Sequence, residues 1–400
     1  MAGSRGGIIR DKKTVSDSSF IERLLTAKFS FEELKSNLVT RKTPITTTLV
    51  VNNSCNLSCA HCYLRVKELT ATALNENEWK KVIDSVSTVD NSLICLSGKE
   101  VFLGNIGARL LSYLSEIKKQ SKSLYRIGLI TNGTLVHKHK ENLLEAQPSY
   151  FDISVDGLES DHDAVRGHGA LAKTLPNVEW AAQTFNHNFF VSHTLQKQNY
   201  NKLKEIVSFL SEKGVTNISC GFYRPLSYTN KSLVLSEGEI DEIFAGLSSL
   251  SEIPDLDRQT KILFDLDTIQ LTALKSFIKS KWFVPKNIQK DANGEYFIEY
   301  TFGNNLSLEF RFAPYPTGVW KSVRITAEGN YLAAEDTIDT DLYSKHSIGN
   351  VRDFDYDFAA LHKSALKSER FNQILRNFYF KILPELQSAY NERNLSLALS

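Results

Sequence analysis

The sequence predicts an α/β protein built around a twisted parallel sheet or a partial barrel. Between about residues 45 and 225, six short β-type runs alternate with amphipathic helical stretches. Two parallel strands need a crossover connection, usually a helix, so this alternation indicates consecutive βα units. The strands are expected at 46–52, 92–96, 125–131, 150–155, 188–195 and 217–223.

The remaining elements follow from the spacing of apolar residues. Helices between the strands are expected at roughly 75–88, 106–120, 138–146, 171–185 and 200–213. Other helices are predicted at 18–39, 236–250, 259–280 and 366–383, and hairpins at 295–312 and 320–333. We therefore divide the chain into a lead-in with a helix (1–44), a core barrel (45–230) and an α+β region (231–400).

Composition excludes several classes of protein. The 400 residues include 47 Lys plus Arg and 46 Asp plus Glu, so the near-neutral charge does not favour nucleic-acid or membrane binding. No apolar run reaches the roughly 18–20 residues of a membrane span, and the first residues lack a signal peptide's apolar region. We expect a cytoplasmic protein. An odd count of five cysteines argues against a disulfide framework.

Cys55, Cys59 and Cys62 fall within eight residues, directly after the first predicted strand. The carboxyl ends of parallel strands are where such sheets place their chemistry. Three thiolates can hold three corners of an iron–sulfur cube and leave one iron open. Zinc is the competing metal, but a structural zinc site needs four ligands. His61 is awkwardly placed for that role beside Cys62, and His162 is remote.

This loop, after the first strand of a six-unit βα chain, resembles the radical SAM superfamily. The resemblance covers roughly 45–225 and continues in Leu96-Ser-Gly-Lys-Glu100, Thr131-Asn-Gly133, Asp152-Ile-Ser-Val-Asp-Gly157, Val165-Arg-Gly167 and Asn199. It implies a partial (βα)6 TIM-like barrel with a [4Fe–4S] cluster on the three cysteines. It also implies S-adenosylmethionine (SAM) on the fourth iron, reductive cleavage of SAM, and hydrogen abstraction by the 5′-deoxyadenosyl radical.

The resemblance implies roles for individual residues. Glu100 aligns with a carboxylate that accepts hydrogen bonds from the methionine amino group, and Gly98 permits close backbone approach. Lys99 and Val101 depart from the usual Gly-Gly-Glu-Pro. Arg166 matches an arginine that reaches the methionine carboxylate; a surface ion pair with Asp161 or Asp163 is the alternative. The further implied SAM contacts are Asn132, Ser154, His61 and Tyr63.

Two other cysteines lie on predicted strands. Strand alternation allows Cys220 to face the barrel interior, where its thiol could donate a hydrogen atom to a substrate radical, as in some radical SAM epimerases. The alternative is a small buried hydrophobe. Cys95, inside a central strand, is expected in the core.

The C-terminal part resembles the SPASM or twitch subgroup of the superfamily. The resemblance rests on Ala327-Glu-Gly-Asn-Tyr331 and Ile348-Gly-Asn-Val351. Ala333-Ala-Glu335 stands where that pattern has a cysteine, and no cysteine follows Cys220. Because auxiliary iron–sulfur clusters need several thiolates, we expect one cluster only.

Many members of that subgroup modify peptides and proteins. The resemblance therefore implies peptide maturation, by crosslinking or epimerisation, with an external one-electron reductant such as flavodoxin or ferredoxin. Residues 1–44 are too short for a winged-helix leader-binding domain. We expect leader binding by a separate protein or by strand addition at 295–312. Three alternatives stay open: a small-metabolite substrate, a catalytically silent iron–sulfur protein and a zinc-binding module.

Overall fold

The computed structural model describes residues 18–27, 29–38, 45–62, 73–89, 92–120, 125–224, 230–254, 256–317, 321–333 and 347–399. The strands are β1 (Thr46–Val50), β2 (Leu93–Ser97), β3 (Arg126–Thr131), β4 (Tyr150–Ser154), β5 (Phe189–Leu195), β6 (Asn217–Phe222), β7 (Thr260–Asp267), β8 (Gln289–Lys290), β9 (Tyr296–Thr301), β10 (Leu306–Ala313), β11 (Ser322–Ile325), β12 (Asn330–Ala333) and β13 (Gly349–Asn350).

Amphipathic helices connect and cover these strands. They are α1 (Ser18–Thr26), α2 (Phe31–Leu38), α3 (Glu76–Val86), α4 (Ile106–Gln120), α5 (Lys140–Ala146), α6 (Glu159–Arg166), α7 (Ala170–Phe185), α8 (Leu203–Glu212), α9 (Glu237–Gly246), α10 (Leu271–Lys279), α11 (Phe358–Ala365), α12 (Glu369–Asn377) and α13 (Leu383–Leu399). No helix among the described residues is long and apolar enough to cross a membrane.

The described strands form one 13-stranded sheet in the order β13-β12-β11-β1-β2-β3-β4-β5-β6-β7-β10-β9-β8. Neighbours from β11 through β1–β7 to β10 pair in parallel, and the outer strands pair antiparallel. The predicted α/β class with six parallel βα units is thus confirmed. Both predicted C-terminal hairpins are present as β9–β10 and β11–β12, apart from Trp320, which lies outside the described residues.

The sheet curls into an open barrel. Strands β10 and β11 flank the block β1–β7 on opposite sides, yet only residues 314–321 join them along the chain. Eight strand spacings of about 4.8 Å would separate them by roughly 38 Å in a flat sheet. The connecting residues reach at most about 32 Å when fully extended. The two edges must therefore curve toward each other.

Alternation along the strands separates a helix-covered face from a concave face. Phe151 packs on Phe185 of α7, with ring centroids 5.4 Å apart, and Phe264 packs on Phe244 of α9 at 6.1 Å. Residues between the helix-facing ones on β5 and β6 are half-buried. The concave face is therefore less completely covered than the face that packs against the helices.

Two predicted helices differ from the structure. Residues 260–267 form strand β7, where Ile262, Phe264 and Leu266 alternate with more exposed residues, so the predicted helix over 259–280 is wrong in its first half. The helix predicted over 18–39 is divided into α1 and α2. The sheet also continues across position 230, so the three-part division of the chain remains a prediction.

Candidate active site

The loop Ser54–Cys62, which we call the cluster loop, follows β1 at the carboxyl edge of the parallel strands. Asn52 holds its start, because its Nδ2 donates to the Glu100 carbonyl oxygen at 2.8 Å. At the other end the Ala60 amide donates to the Val165 carbonyl oxygen of α6 at 2.7 Å. The cluster loop therefore spans from the β2 side of the barrel to α6.

The three thiols of the cluster loop fit the donor set of an iron–sulfur cluster. Cys59 is buried, and Cys55 and Cys62 are half-buried. Burial raises the pKa of Cys55, and it raises the pKa of Cys59 to about 11, with the neighbouring thiols acting in the same direction. Such sulfurs need a positively charged partner to be held as thiolates. Cys55 Sγ already accepts hydrogen bonds from the Leu57 amide at 3.3 Å and Asn132 Nδ2 at 3.7 Å.

A single metal ion fits the same residues poorly. Among the residues that the structure describes, no three His, Cys, Asp or Glu side chains are grouped closely enough to ligate one ion. Sulfurs on one zinc ion must lie within about 4.6 Å of each other, twice the zinc–sulfur distance. A structural zinc site would also need a fourth ligand, whereas three thiolates suffice for a cube with one open iron, so the number of thiols favours a cluster over the zinc alternative.

Glu100 is buried, and protein groups use most of its acceptor capacity. Its Oε1 accepts from Thr131 Oγ1 at 2.7 Å and from the Phe102 amide at 3.1 Å, and its Oε2 accepts from the Asn132 amide at 2.8 Å. Burial raises the pKa of this carboxyl group despite these bonds. A carboxylate offers about four acceptor positions, so roughly one is left for the predicted contact with SAM.

Asn132 lies against the cluster loop. Its Nδ2 donates to Asn56 Oδ1 at 3.0 Å, and its Oδ1 accepts from Thr134 Oγ1 at 2.7 Å. Asn56 Nδ2 donates back to Thr134 Oγ1 at 2.8 Å. This network joins the turn after β3 to the cluster loop, so Asn132 orients Cys55 whether or not it also contacts SAM.

Arg166 forms a buried ion pair with Asp156, rather than a surface pair with Asp161 or Asp163. Its Nε lies 2.5 Å from Asp156 Oδ2, and the two side chains are 9% and 0% exposed. Burial alone would raise the pKa of Asp156, but the Arg166 guanidinium holds it well below its ordinary value. Asp161 instead pairs with Lys202 Nζ at 2.8 Å.

Asp156 also connects the cluster loop to this pair. Its Oδ2 lies 3.6 Å from His61 Nε2, and its Oδ1 accepts from the Thr194 amide at 3.0 Å. Its own amide donates to His162 Nδ1 at 3.2 Å. Burial and the nearby Arg166 lower the pKa of His162 to about 4, so the ring is neutral and accepts that bond. The sequence analysis assigned no role to Asp156, although the residue lies in the quoted motif, two positions after the end of β4.

The other predicted SAM contacts are distributed around the same edge. A Cβ added at Gly98 would meet Asn52 Oδ1 at 3.0 Å, so glycine permits the close approach of the two loops. Ser154 ends β4 and is half-buried. Tyr63 lies outside the described residues. The SAM-contact roles of all these residues remain predictions.

Cys220 faces away from the barrel interior. The register pairs it with Phe264 of β7, and it belongs to the hydrophobic cluster packed against the helices. The interior orientation that the sequence allowed is not the one found, because strand alternation turns the other residues of β6 inward. Burial raises the pKa of Cys220 to about 12, as expected for a small buried hydrophobe. Cys95 is buried, as predicted.

Two buried polar side chains at the ends of β5 and β6 escaped the sequence analysis. Gln196 is fully buried, and Tyr223 is 8% exposed. Neither the Gln196 carboxamide nor the Tyr223 hydroxyl has a hydrogen-bond partner in the part of the chain that the structure describes. Their positions at the ends of predicted strands could have marked them as candidate site residues, but single Gln and Tyr residues form no recognisable motif.

A parallel open barrel with three cysteines in the loop after its first strand is the arrangement typical of the radical SAM class. Residues 49–210 match the family model described as the radical SAM superfamily.

The chain spans about a third to a half of the length of the curated relatives that it matches. The subtilosin biosynthesis protein AlbA of Bacillus subtilis (strain 168) is 29% identical over 37% of this chain and 32% of its own. Fe-coproporphyrin III synthase of Methanosarcina barkeri is 27% identical over 47% and 46%. The sporulation killing factor maturation protein SkfB of B. subtilis is 25% identical over 43% and 40%.

Solved structures share the fold at low identity. AdoMet-bound anSMEcpe has a TM-score of 0.57 and 14% identity, with 84% of both chains covered. Streptococcus suis SuiB bound to its precursor peptide SuiA has a TM-score of 0.51 and 14% identity, with 73% of this chain and 59% of SuiB covered.

Proposed function

We propose that this protein is a radical SAM enzyme that acts on a peptide or protein substrate. Cys55, Cys59 and Cys62 would hold one [4Fe–4S] cluster, with SAM at the open iron. The cofactors supply the reductive cleavage of SAM and the hydrogen-abstracting radical. The observation that carries this proposal is the cluster loop itself, whose three thiols lie at the carboxyl edge and are bonded into the elements on both sides.

The protein's own groups bind and orient SAM. Arg166 is held by Asp156 through Nε, which leaves its terminal nitrogens for the methionine carboxylate. Glu100 has about one acceptor position left for the methionine amino group. Both residues are buried, so their charges act in a water-poor environment, where electrostatic interactions are stronger.

The concave face supports a substrate that inserts a side chain or strand into the barrel. Ser154, Ser192 and Ser219 are register partners on three neighbouring strands, and all are half-buried. Asp265 on β7 has a 52% exposed side chain, although its strand lies inside the sheet. Small hydroxyl residues and one accessible carboxylate leave both space and hydrogen-bonding groups for a peptide.

The names of the relatives favour the same substrate class. AlbA and SkfB are named for the biosynthesis of a bacteriocin and the maturation of a killing factor, and SuiB is seen with a precursor peptide. We further propose a flavodoxin or ferredoxin as the electron donor, and a separate leader-binding protein. With no cysteine after Cys220, we propose that the electron does not pass to an auxiliary cluster.

A small-metabolite substrate is the second candidate. Fe-coproporphyrin III synthase matches this chain at 27% identity, close to the 29% of AlbA. A peptide that is modified in an anaerobic assay would decide for the first candidate.

The test is anaerobic reconstitution of the full chain with iron and sulfide, followed by dithionite and SAM. The wild type is expected to absorb at about 400 nm, as iron–sulfur clusters do, and to form 5′-deoxyadenosine from SAM. Cys59→Ala should lose both signals. Cys220→Ala removes a similarly buried thiol from the helix-facing core and should keep both. Unchanged product formation in Cys59→Ala would contradict the site.

A further inference from the structure

The turn between β11 and β12 reaches the cluster loop from the C-terminal part of the chain. Asn53, two residues before Cys55, donates from Nδ2 to Glu328 Oε1 at 2.5 Å. Glu328 is 1% exposed, so this bond is shielded from water. A hydrogen bond to a buried carboxylate is among the stronger ones that proteins form.

The same hairpin contacts the far end of the cluster loop. Leu332 of β12 is fully buried, and Cys62 packs against it. The hairpin therefore touches the chain on both flanks of the cysteine trio. The two contacts are made by a carboxylate, Glu328, and by an apolar side chain, Leu332.

The β11–β12 hairpin is itself anchored by hydrogen bonds to neighbouring segments, so it can hold the Asn53 side chain in place. The Leu74 amide donates to the Ala327 carbonyl oxygen at 2.7 Å, and Asn350 Nδ2 donates to the Glu328 carbonyl oxygen at 3.0 Å. On the other side of β1, Asn52 is bonded to the Glu100 carbonyl oxygen. Two consecutive amides thus tie the end of β1 to β2 on one side and to the hairpin on the other.

We propose that Glu328 is a positioning residue, which holds Asn53 so that the three thiols keep the geometry that binds the cluster and SAM. The inference rests on the proposed function, because the ligand of this loop is the proposed cluster. Only Oε1 is used, and Oε2 has no hydrogen-bond partner among the described residues. Glutamine can therefore replace Glu328 and keep the acceptor, whereas alanine cannot.

The experiment compares Glu328→Ala and Glu328→Gln with the wild type as reconstituted full-length proteins. Iron release to a chelator should be about tenfold faster in Glu328→Ala, the usual weight of one hydrogen bond to a charged group. The electron paramagnetic resonance spectrum of its reduced cluster should also respond differently to SAM. Glu328→Gln keeps a neutral acceptor for Asn53, so it should release iron more slowly than Glu328→Ala and respond to SAM more like the wild type.

Glu309→Ala is the matched control. Glu309 is also a buried glutamate, 4% exposed, but it pairs with Lys261 and Arg311 on the β7–β10 side of the sheet. Its loss should destabilise the fold without changing iron release or the response to SAM. Equal effects in the two alanine variants would show general loosening and would overturn the proposal.

Asn53→Ala removes the same hydrogen bond from the other partner, and keeps the test decisive if Glu328→Ala does not fold. The double variant should release iron no faster than either single variant, because both lose one shared interaction. Additive effects, or wild-type rates in both single variants, would overturn the positioning role. A wild type that binds no iron would instead overturn the proposed function, and this inference with it.

Discussion

The carboxylate of Asp156 is buried and contacts three separate elements. It pairs with Arg166 on α6, accepts from the Thr194 amide on β5 and lies near His61 of the cluster loop. A charge in this position is stable only while it is paired, because burial would otherwise disfavour ionisation. Asp156 therefore fixes where the Arg166 guanidinium points.

Asp156→Asn is predicted to destabilise the fold by about 3–5 kcal/mol, because it leaves the Arg166 charge buried without its partner. The measurement is urea unfolding of the apo protein. Asp161→Asn is the control, since its pair with Lys202 is partly exposed and should cost about 1 kcal/mol or less. Similar losses of unfolding free energy in the two variants would show that the buried ion pair stabilises the fold no more than the partly exposed one.

At the scale of elements, the turn after β3 is shaped by close packing. Gly133 has φ +81°, and a Cβ there would meet Ile153 Cγ2 at 2.5 Å and Thr174 Cγ2 at 2.9 Å. The turn brings Asn132 to the cluster loop, so its backbone path controls one of the contacts to Cys55. Both the positive φ and the lack of space require glycine at this position.

Gly133→Ala is therefore predicted to cost more than Gly104→Ala. Gly104 has φ +77° but nothing within 4 Å of an added Cβ, so it reports the backbone strain alone, about 1–2 kcal/mol. Gly133→Ala should add roughly 1–3 kcal/mol from the clash. Thermal unfolding of the two variants checks this, and equal costs would mean that the core beside β4 relaxes freely.

At the scale of the whole molecule, α3 is joined to the C-terminal part by one cluster of polar contacts. Glu78 Oε1 accepts from Arg352 Nε at 2.7 Å and from the Tyr356 hydroxyl at 2.8 Å. The hydrogen bond from Arg352 is the main reason that the pKa of Glu78 falls to about 2. This link fastens the segment after β13 onto the barrel.

The lowered pKa of Glu78 predicts how the stability of the fold depends on pH. The folded pKa of Glu78 lies below its ordinary value of 4.5, so its stabilisation is complete above about pH 4.5 and is lost as the pH falls through about 2. The loss of unfolding free energy in Glu78→Gln should thus be largest near neutrality and shrink over this range. Urea unfolding at several pH values measures it. Glu141→Gln, at an exposed site on α5, is the control and should change the unfolding free energy only slightly.

Much of the molecule was predictable from local pattern. The alternation of strands and helices determined the parallel sheet, because a crossover helix admits few other arrangements. The spacing of Cys55, Cys59 and Cys62 predicted an iron–sulfur cluster, because ligand number and spacing are properties of the chain itself. The strand β7 was missed because a short apolar run can be read as either helix or strand until its packing partners are known.

The sequence by itself therefore determined the fold class and the resemblance to the radical SAM superfamily, and it predicted Cys55, Cys59 and Cys62 as the cluster ligands. Only the tertiary structure decided that Arg166 pairs with Asp156, that Cys220 points away from the barrel, and that Glu328 reaches the cluster loop across 275 positions of sequence. The physical reason is the same in each case. Which groups meet in the interior depends on the curl and register of the sheet, and these are set by contacts between segments far apart in the chain.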